Sequence, residues 1–515
     1  MSRNGADLIV DALARAGVDT CFANPGTTEM HLVAALARNP DMKTHLCLFE
    51  GVATGAADGY ARMARKPAAT LLHLGPGLAN GMANLHNARK AGSRVINLVG
   101  EHAEAHLSFD APLTADIAGM ADTVSDRVLT LHSGSDIGAE TALLAAESAA
   151  GLAPVATLIV PNDIAWNEAT PSRSVAAEVA PASAAGFDVD KVLHALKSDD
   201  ALLLVGAPFI SDRIARLATA IGAATGARVL AEAAVARMER GAGRVNLKRV
   251  PFHVDLALAD LQETSHAVLA GAREPIAFFA YPGRSSRLLP ESCEVTTLTP
   301  VDTDVEAALE ALADALGVDE ASAPALQPLP DLPENAALTP ETLAAVISNA
   351  LPEDAIVVDE SITNGGPLFA TCAASAPHDW INNRGGSIGY SWPVAIGAAV
   401  ACPERRVLAV TGDGSAWYTV QSLWTMARSR LNVTIIVLAN RRYNILANEM
   451  SRIGAGSPSH NAQPLLMLDE PATDWVALAG AQGVATRRVT DSSELQAALA
   501  LGFAMAGPML IEAIL

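Results

Sequence analysis

Between Arg405 and Asn440 two short β-branched runs, "RRVLAVT" and "NVTIIVLAN", flank a span in which Val420, Leu423, Trp424 and Ala427 recur at helical spacing. A crossover of that length rules out a tight hairpin and places the two strands parallel in one sheet, with the helix packed on its face. The chain must therefore be α/β at this point. The turn "GDGS" takes the chain from the first strand into the helix, and Asp413 stands there between Gly412 and Gly414, where backbone can approach closely. Asn440 ends the second strand. An acid and an amide at neighbouring strand ends supply oxygen donors for a hard cation such as magnesium, and a glycine-rich helix start suits phosphate. A magnesium diphosphate site follows. Neither a GxGxxG dinucleotide fingerprint nor a phosphate loop ending in Gly-Lys-Ser/Thr is present here.

The same alternation runs through the rest of the chain. "ADLIVDALARAG", "TCFANPG", "HLCLFE", "AATLLHLGPG" and "RVINLVGE" alternate helical and strand patterns up to about residue 170, and "ALLLVGAP", "ARVLAEA" and "PIAFFAYPG" mark a second α/β stretch. Two segments rich in Ala, Ser and Pro, "ATPSRSVAAEVAPASAAG" and "SAPALQPLPDLPENAALTPE", read as linkers. Three domains are expected, 1–172, 186–322 and 338–515, each a mostly parallel sheet flanked by helices; 515 residues is ample for that.

Composition excludes several classes of partner. Acids outnumber bases 56 to 35, so nucleic acid and anionic membrane are not expected partners, and an anionic cofactor must be held by metal and backbone dipoles. The five cysteines, Cys21, Cys47, Cys293, Cys372 and Cys402, are scattered and odd in number, which fits reduced thiols in the cytoplasm better than a disulfide framework or zinc site. Asp7 and Asp11 interrupt the start where a signal peptide needs an apolar core. Gly385 to Pro403 is uncharged but holds four glycines and two prolines, and reads as a buried turn and helix rather than a membrane span.

Asp413 and Asn440 in this context, together with three α/β domains, resemble the thiamine diphosphate enzymes of the benzoylformate decarboxylase and acetolactate synthase large subunit family, over the entire chain. The resemblance implies that Asp413, Asn440 and the backbone carbonyl of Arg442 hold magnesium. It places Gly412, Gly414, Ser415, Tyr443, Asn444 and Thr363 at the cofactor. In "RGGSIGYSWPVAIGAA", Gly386 matches a carbonyl that accepts from the cofactor's amino group, and Ile388 matches the apolar wedge that bends the cofactor and holds that group near C2. One departure is that Ala439 and Arg441 flank the ligand where many relatives have a second Asn.

The cofactor works only after its C2 proton is removed. Glu50, read as the end of the apolar strand in "HLCLFE", matches the family's activating glutamate, and poor solvation there favours sharing a proton with a ring nitrogen. Glu50 and Asp413 fall in different domains, which in this family meet across a subunit boundary, so at least a homodimer is implied, with a homotetramer as the assembly. Thr27 in "ANPGTTEM" and His73 in "LLHLGPG" match a hydroxyl that contacts the substrate carboxylate and a histidine acting as acid or base. His102 and His106 have metal-ligand spacing if helical, but without an evident carboxylate third ligand they read as solvent or pocket-rim residues. Ile445 and Glu449 line the substrate pocket by the same match, and a bulky Ile with a charged Glu argues against an aromatic substrate. No middle-domain histidine of the decarboxylase branch appears near "FFAYPGRSSR", and "LGPGLANGMANL" resembles the synthase branch more. FAD is not signalled. The expected function is magnesium- and thiamine diphosphate-dependent decarboxylation of a 2-oxo acid to an aldehyde. The alternatives are acetolactate synthase-type carboligation and a non-catalytic cofactor-binding subunit.

Overall fold

The computed structural model describes residues 3–170, 179, 186–301 and 303–515, which build three sheets. The first has six parallel strands in the order Lys43–Leu46, Thr20–Asn24, Ala68–Leu72, Val95–Glu101, Val155–Pro161, Arg127–Thr130. The second has four parallel strands, ordered Glu294–Thr299, His266–Ala270, Ala201–Val205, Arg228–Ala231. The third has seven, ordered Ala485–Val489, Met509–Ile514, Val433–Ala439, Val407–Gly412, Ala355–Glu360, His378–Asn382, Met238–Arg240, parallel except for the last. Helices flank these sheets, which makes the fold α/β throughout. The central strands are apolar at nearly every position because both faces are covered.

Strand order locates the clefts. In the first sheet the chain moves from Thr20–Asn24 to one side and returns on the other at Ala68–Leu72, and in the third it does the same between Ala355–Glu360 and Val407–Gly412. Where consecutive connections leave in opposite directions a crevice opens beyond the carboxyl ends of the strands. Pro25 to Glu29 and His73 lie at the first crevice, and Glu360 to Gly365 and Asp413 at the second. Thr411 pairs with Val437 and Gly412 with Leu438, so Asp413 and Asn440 leave adjacent strand ends.

The first and third sheets share one apolar core, in which the helices Glu50–Ala64 and Ser391–Ala401 cross closely. A Cβ on Gly59 would collide with the Val394 carbonyl, and one on Gly397 with that of Ala56. Gly385 to Pro403 is thus a loop and a buried helix, and among the described residues no helix is long and apolar enough to cross a membrane. At the start of the chain, Asn4 and Asp7 form a reciprocal cap on the helix Gly5–Arg15.

Three features depart from the sequence pattern. "HLCLFE" yields only the exposed edge strand Lys43–Leu46; Cys47 turns into the core, and Glu50 opens a helix instead of ending a strand. "PIAFFAYPG" joins none of the three sheets: Ile276, Phe278 and Phe279 are exposed, and His266–Ala270 supplies the strand in that region. Met238–Arg240 leaves the middle third to pair with His378–Asn382. The first linker stretch lies largely outside the described residues, whereas the second forms no helix or strand between Val318 and Ala336.

Candidate active site

At the crevice of the third sheet, Asp413 is the first residue of the short helix Asp413–Ala416 and is only 5% exposed. Its Oδ1 accepts from the Gly414 N–H at 2.9 Å and its Oδ2 from the Arg441 N–H at 2.7 Å. Burial pushes its carboxyl above the ordinary range, and these backbone bonds with the Arg441 charge offset only part of that. Asn440 Oδ1 accepts from the Arg442 N–H at 3.1 Å. Arg441 between them has φ 56°, a left-handed conformation that costs a non-glycine residue about 1–2 kcal/mol. Asp413 thus pins a strained turn that also carries Asn440 and Arg442.

Gly414 has a strict packing reason, since a Cβ there would run into the Tyr443 ring, whose hydroxyl donates to the Gly414 carbonyl at 3.5 Å. Around Gly412 a Cβ would meet nothing within 4 Å, so the space over that glycine is free for a ligand. A buried carboxylate held only partly in check, an amide oxygen and a peptide carbonyl are all hard donors, and this set fits a divalent cation with a phosphate beside it. Ser415 is buried, Asn444 half-buried, and Thr363 lies in the turn Ile362–Gly365 at the same crevice.

The loop carrying Gly386 and Ile388 is held from three sides. Asn383 Oδ1 accepts from the N–H groups of Gly385 and Gly386 at 3.0 and 2.8 Å. Asn87, on the helix Leu74–Ala91 of the first sheet, donates to the Ser387 carbonyl at 2.9 Å and accepts from its N–H at 3.1 Å. His86, one residue earlier, donates to the Gly385 carbonyl at 3.0 Å. Glu360, fully buried and pushed up by burial, accepts from the Gly389 N–H at 2.6 Å and from the Ser391 hydroxyl at 2.7 Å. Gly386 has φ 81°, and the Phe278 ring rests where its Cβ would be. Ile388 is half-buried.

At the crevice of the first sheet, His73 follows the strand Ala68–Leu72, and its ring lies 2.8 Å from Glu29 Oε2 and 3.3 Å from Thr28 Oγ1, both through Nδ1. Glu29 is completely buried; it also accepts from the Gly26 N–H at 2.8 Å and from the Thr28 hydroxyl at 2.5 Å. Side chains at Gly26 and Gly100 would strike His73 and Glu29 respectively, so two glycines make room for this pair. Leu74, immediately after His73, is buried with φ 50°, a strained conformation of the kind that persists where the surroundings enforce it. Thr27 is exposed at the rim; Thr28 and not Thr27 touches His73.

Glu50 is 6% exposed, accepts from the Asn80 amide at 3.0 Å, and borders Gly77. Ile445 and Glu449 sit one turn apart on the helix Asn444–Arg452. Glu449 accepts from the Tyr281 hydroxyl at 3.0 Å and from Arg452 at 2.6 Å. The rings of His102 and His106 lie 5.2 Å apart, and His102 precedes the turn Glu104–Phe109, so the two do not share an α-helix. Glu29, Thr28, Asn87 and Tyr281 carry no sequence motif; a carboxylate two residues after Thr27 is the one available sign of Glu29.

A chain with two such crevices at the ends of parallel sheets, one holding the His73–Glu29 pair and one the buried Asp413 at a glycine-rich helix start, has the layout of an α/β enzyme. Residues 3–124 match the model for the thiamine pyrophosphate enzyme N-terminal TPP binding domain, and residues 368–513 the one for the C-terminal TPP binding domain. The chain belongs to this family of thiamine pyrophosphate (thiamine diphosphate) enzymes. It is 46% identical over 513 residues to a candidate acetolactate synthase large subunit, IlvX, of Mycobacterium tuberculosis, covering 99% of each chain. It is 28% identical over 533 residues to benzoylformate decarboxylase of Pseudomonas aeruginosa, covering 98% of this chain and 97% of the other. The solved structure of a Rhodococcus jostii RHA1 thiamine diphosphate-dependent 4-hydroxybenzoylformate decarboxylase has the same fold, with a TM-score of 0.83, 22% identity and coverage of 99% and 98%.

Proposed function

We propose that the protein decarboxylates a 2-oxo acid and releases an aldehyde, with magnesium held by Asp413, Asn440 and the Arg442 carbonyl. When bound, thiamine diphosphate supplies the nucleophilic carbon and the sink for the electrons left by carbon dioxide. Gly412, Gly414, Ser415 and Tyr443 would hold the diphosphate, with Thr363 and Asn444 beside them. The Gly386 carbonyl would accept from the cofactor's amino group, and Ile388 would pack against it. Glu50 would exchange a proton with the bound cofactor's ring, and its burial supports that role. Thr27 meets the substrate carboxylate, with Ile445 and Glu449 along the side-chain pocket.

The observation that carries the decarboxylase reading is His73 on a fully buried Glu29. A carboxylate at Nδ1 fixes the tautomer and leaves Nε2 to move a proton to or from the substrate. Release of an aldehyde requires such a group late in the cycle. The name of the 46% identical relative supports a second reading, carboligation of two 2-oxo acids, in which an acceptor carbonyl takes the proton's place.

A homodimer at least, with a homotetramer as the assembly, is part of the proposal, as is a cytoplasmic setting. The helix Leu74–Ala91 begins beside His73, and the Gly385–Ser387 loop of the same chain is tied to it at His86 and Asn87. At 1.5 Å per residue those points stand about 20 Å apart. That spacing supports a site completed by a second chain.

A panel of 2-oxo acids, assayed with cofactor and magnesium for carbon dioxide, aldehyde and acyloin, tests the reading. Aldehyde is the expected product, lost in His73→Ala more than carbon dioxide release is. Acyloin as almost the whole product, at a rate that His73→Ala leaves intact, establishes the synthase reading instead, and cofactor binding without turnover establishes a non-catalytic subunit.

A further inference from the structure

Tyr281 and Phe278 lie three residues apart on the exposed segment that joins no sheet, and they touch two different walls of the proposed site. Phe278 rests on Gly386, and Tyr281 donates to Glu449, one helical turn beyond Ile445. The segment therefore spans the space between the cofactor loop and the helix Asn444–Arg452. Arg452 holds the other oxygen of Glu449. Tyr281 and Arg452 also line a cavity of about 150 Å3 with His253, Val254, Asp255 and Leu256.

We infer that Tyr281, Glu449 and Arg452 form a clasp that reads the far end of the substrate side chain and selects a 2-oxo acid ending in a hydroxyl group. This rests on the 2-oxo acid reading above. The chemistry follows from what the clasp has left to offer. Glu449 is only partly exposed, and its side chain keeps 15% of its accessible surface. Its carboxylate has about four acceptor sites, of which Tyr281 and Arg452 fill two. The Tyr281 proton is spent on Glu449, whose remaining valence is that of an acceptor, while Arg452 uses only Nη1 on it and keeps N–H donors alongside, so the pair suits a group that both donates and accepts. A substrate hydroxyl satisfies it, whereas a methyl group in the same place strips water from the carboxylate and returns nothing. A second carboxylate on the substrate meets Glu449 and Asp255 as like charges and finds the Arg452 charge already paired with Glu449. Asp255 itself is engaged with Arg284. Phe278 and Ile445 give the intervening carbons an apolar path, and Tyr281 fixes the Glu449 rotamer from across the cleft.

The test compares isosteric pairs on the holoenzyme: 4-hydroxy-2-oxobutanoate against 2-oxopentanoate, and 5-hydroxy-2-oxopentanoate against 2-oxohexanoate, with 2-oxoglutarate as the charged control. Both kcat/KM for carbon dioxide release and binding, read by tryptophan fluorescence, are measured. At least one hydroxy acid is expected to exceed its methyl partner by about tenfold or more, with 2-oxoglutarate poorest. Glu449→Leu should abolish the ratio, Glu449→Gln keep part of it, and Tyr281→Phe reduce it. Methyl-ended acids equal or better in both pairs, or a ratio that survives Glu449→Leu, overturns the clasp. The wild-type ratio decides even if a variant fails to fold. The same discrimination in binding without any carbon dioxide upholds the clasp and overturns the decarboxylase reading, whereas rapid carbon dioxide release without discrimination does the reverse.

Discussion

Glu29 has no exposed surface and spends its charge on one histidine, one threonine and one backbone N–H. A carboxylate is costly to bury, so its presence under His73 has to be repaid by the hydrogen bonds it accepts. Glu29→Gln keeps the shape while removing the charge that supports a cationic imidazole. Aldehyde release should slow about 10–100-fold with KM changed much less. An unaltered kcat marks Glu29 as packing alone. Asp413 is the counterpart in the third sheet. Asp413→Ala removes the only carboxylate among the proposed ligands, and affinity for thiamine diphosphate with magnesium should drop by about 100-fold or more. Calorimetry that finds undiminished affinity contradicts the metal assignment.

At the scale of elements, the strand His378–Asn382 is the seam between the third sheet and the intruding Met238–Arg240. His378 at its start is fully buried; its Nδ1 donates to the Ala376 carbonyl at 2.8 Å and its Nε2 has no partner among the described residues. Burial, with Arg240 nearby, pushes its pKa down to about 3 from an ordinary 6.5. The folded chain therefore keeps this ring neutral while the unfolded chain protonates it. Stability from this residue is intact above about 6.5 and falls as the pH drops towards about 3, with a slope approaching ~1.4 kcal/mol per pH unit. The urea midpoint should decline between neutral and mildly acidic pH, and His378→Phe should flatten that decline. Equal slopes in both proteins refute the assignment. The cysteines behave oppositely: burial pushes Cys21 and Cys372 up to about 12, which leaves them unreactive.

At the scale of the molecule, the three sheets are tied through buried arginines. Arg62 pairs with Asp58 at 2.7 Å and donates to the carbonyls of Ala236 and Asn382 at 3.1 and 2.8 Å. Arg237 pairs with Asp379 at 2.6 Å and reaches the Arg62 carbonyl at 3.1 Å. Buried ion pairs add little net stability, but they fix one relative placement, because any shift leaves a charge unpaired. The proposed dimer joins Glu50 of one chain to Asp413 of another across that fixed placement. Co-expression of Glu50→Gln and Asp413→Ala chains tests this directly. Each mixed dimer holds one intact site if the two residues meet across chains, so about a quarter of wild-type activity should return. No recovery in verified mixed dimers means that both residues serve one site within a chain.

The sequence by itself determined whatever depends on near neighbours. Alternating apolar runs and helical spacing defined the parallel sheets, and the same local grammar placed Asp413 at a strand–helix turn, Asn440 at the next strand end and His73 just beyond Leu72. Local pattern failed where apolar residues were used at long range: Phe278 and Tyr281 read like strand but reach Gly386 and Glu449, and Cys47 turns into the core while Leu48 stays exposed, so that Glu50 starts a helix. Tertiary structure alone decided that Glu29 supports His73, that Asn87 holds the Gly386 loop, that Tyr281 grips Glu449, and that Met238–Arg240 crosses to another sheet. The physical reason is common to all four. Periodicity records which way a side chain faces along its own helix or strand, whereas a hydrogen bond between distant segments exists only once the sheets have packed and burial has made every unpaired polar group costly.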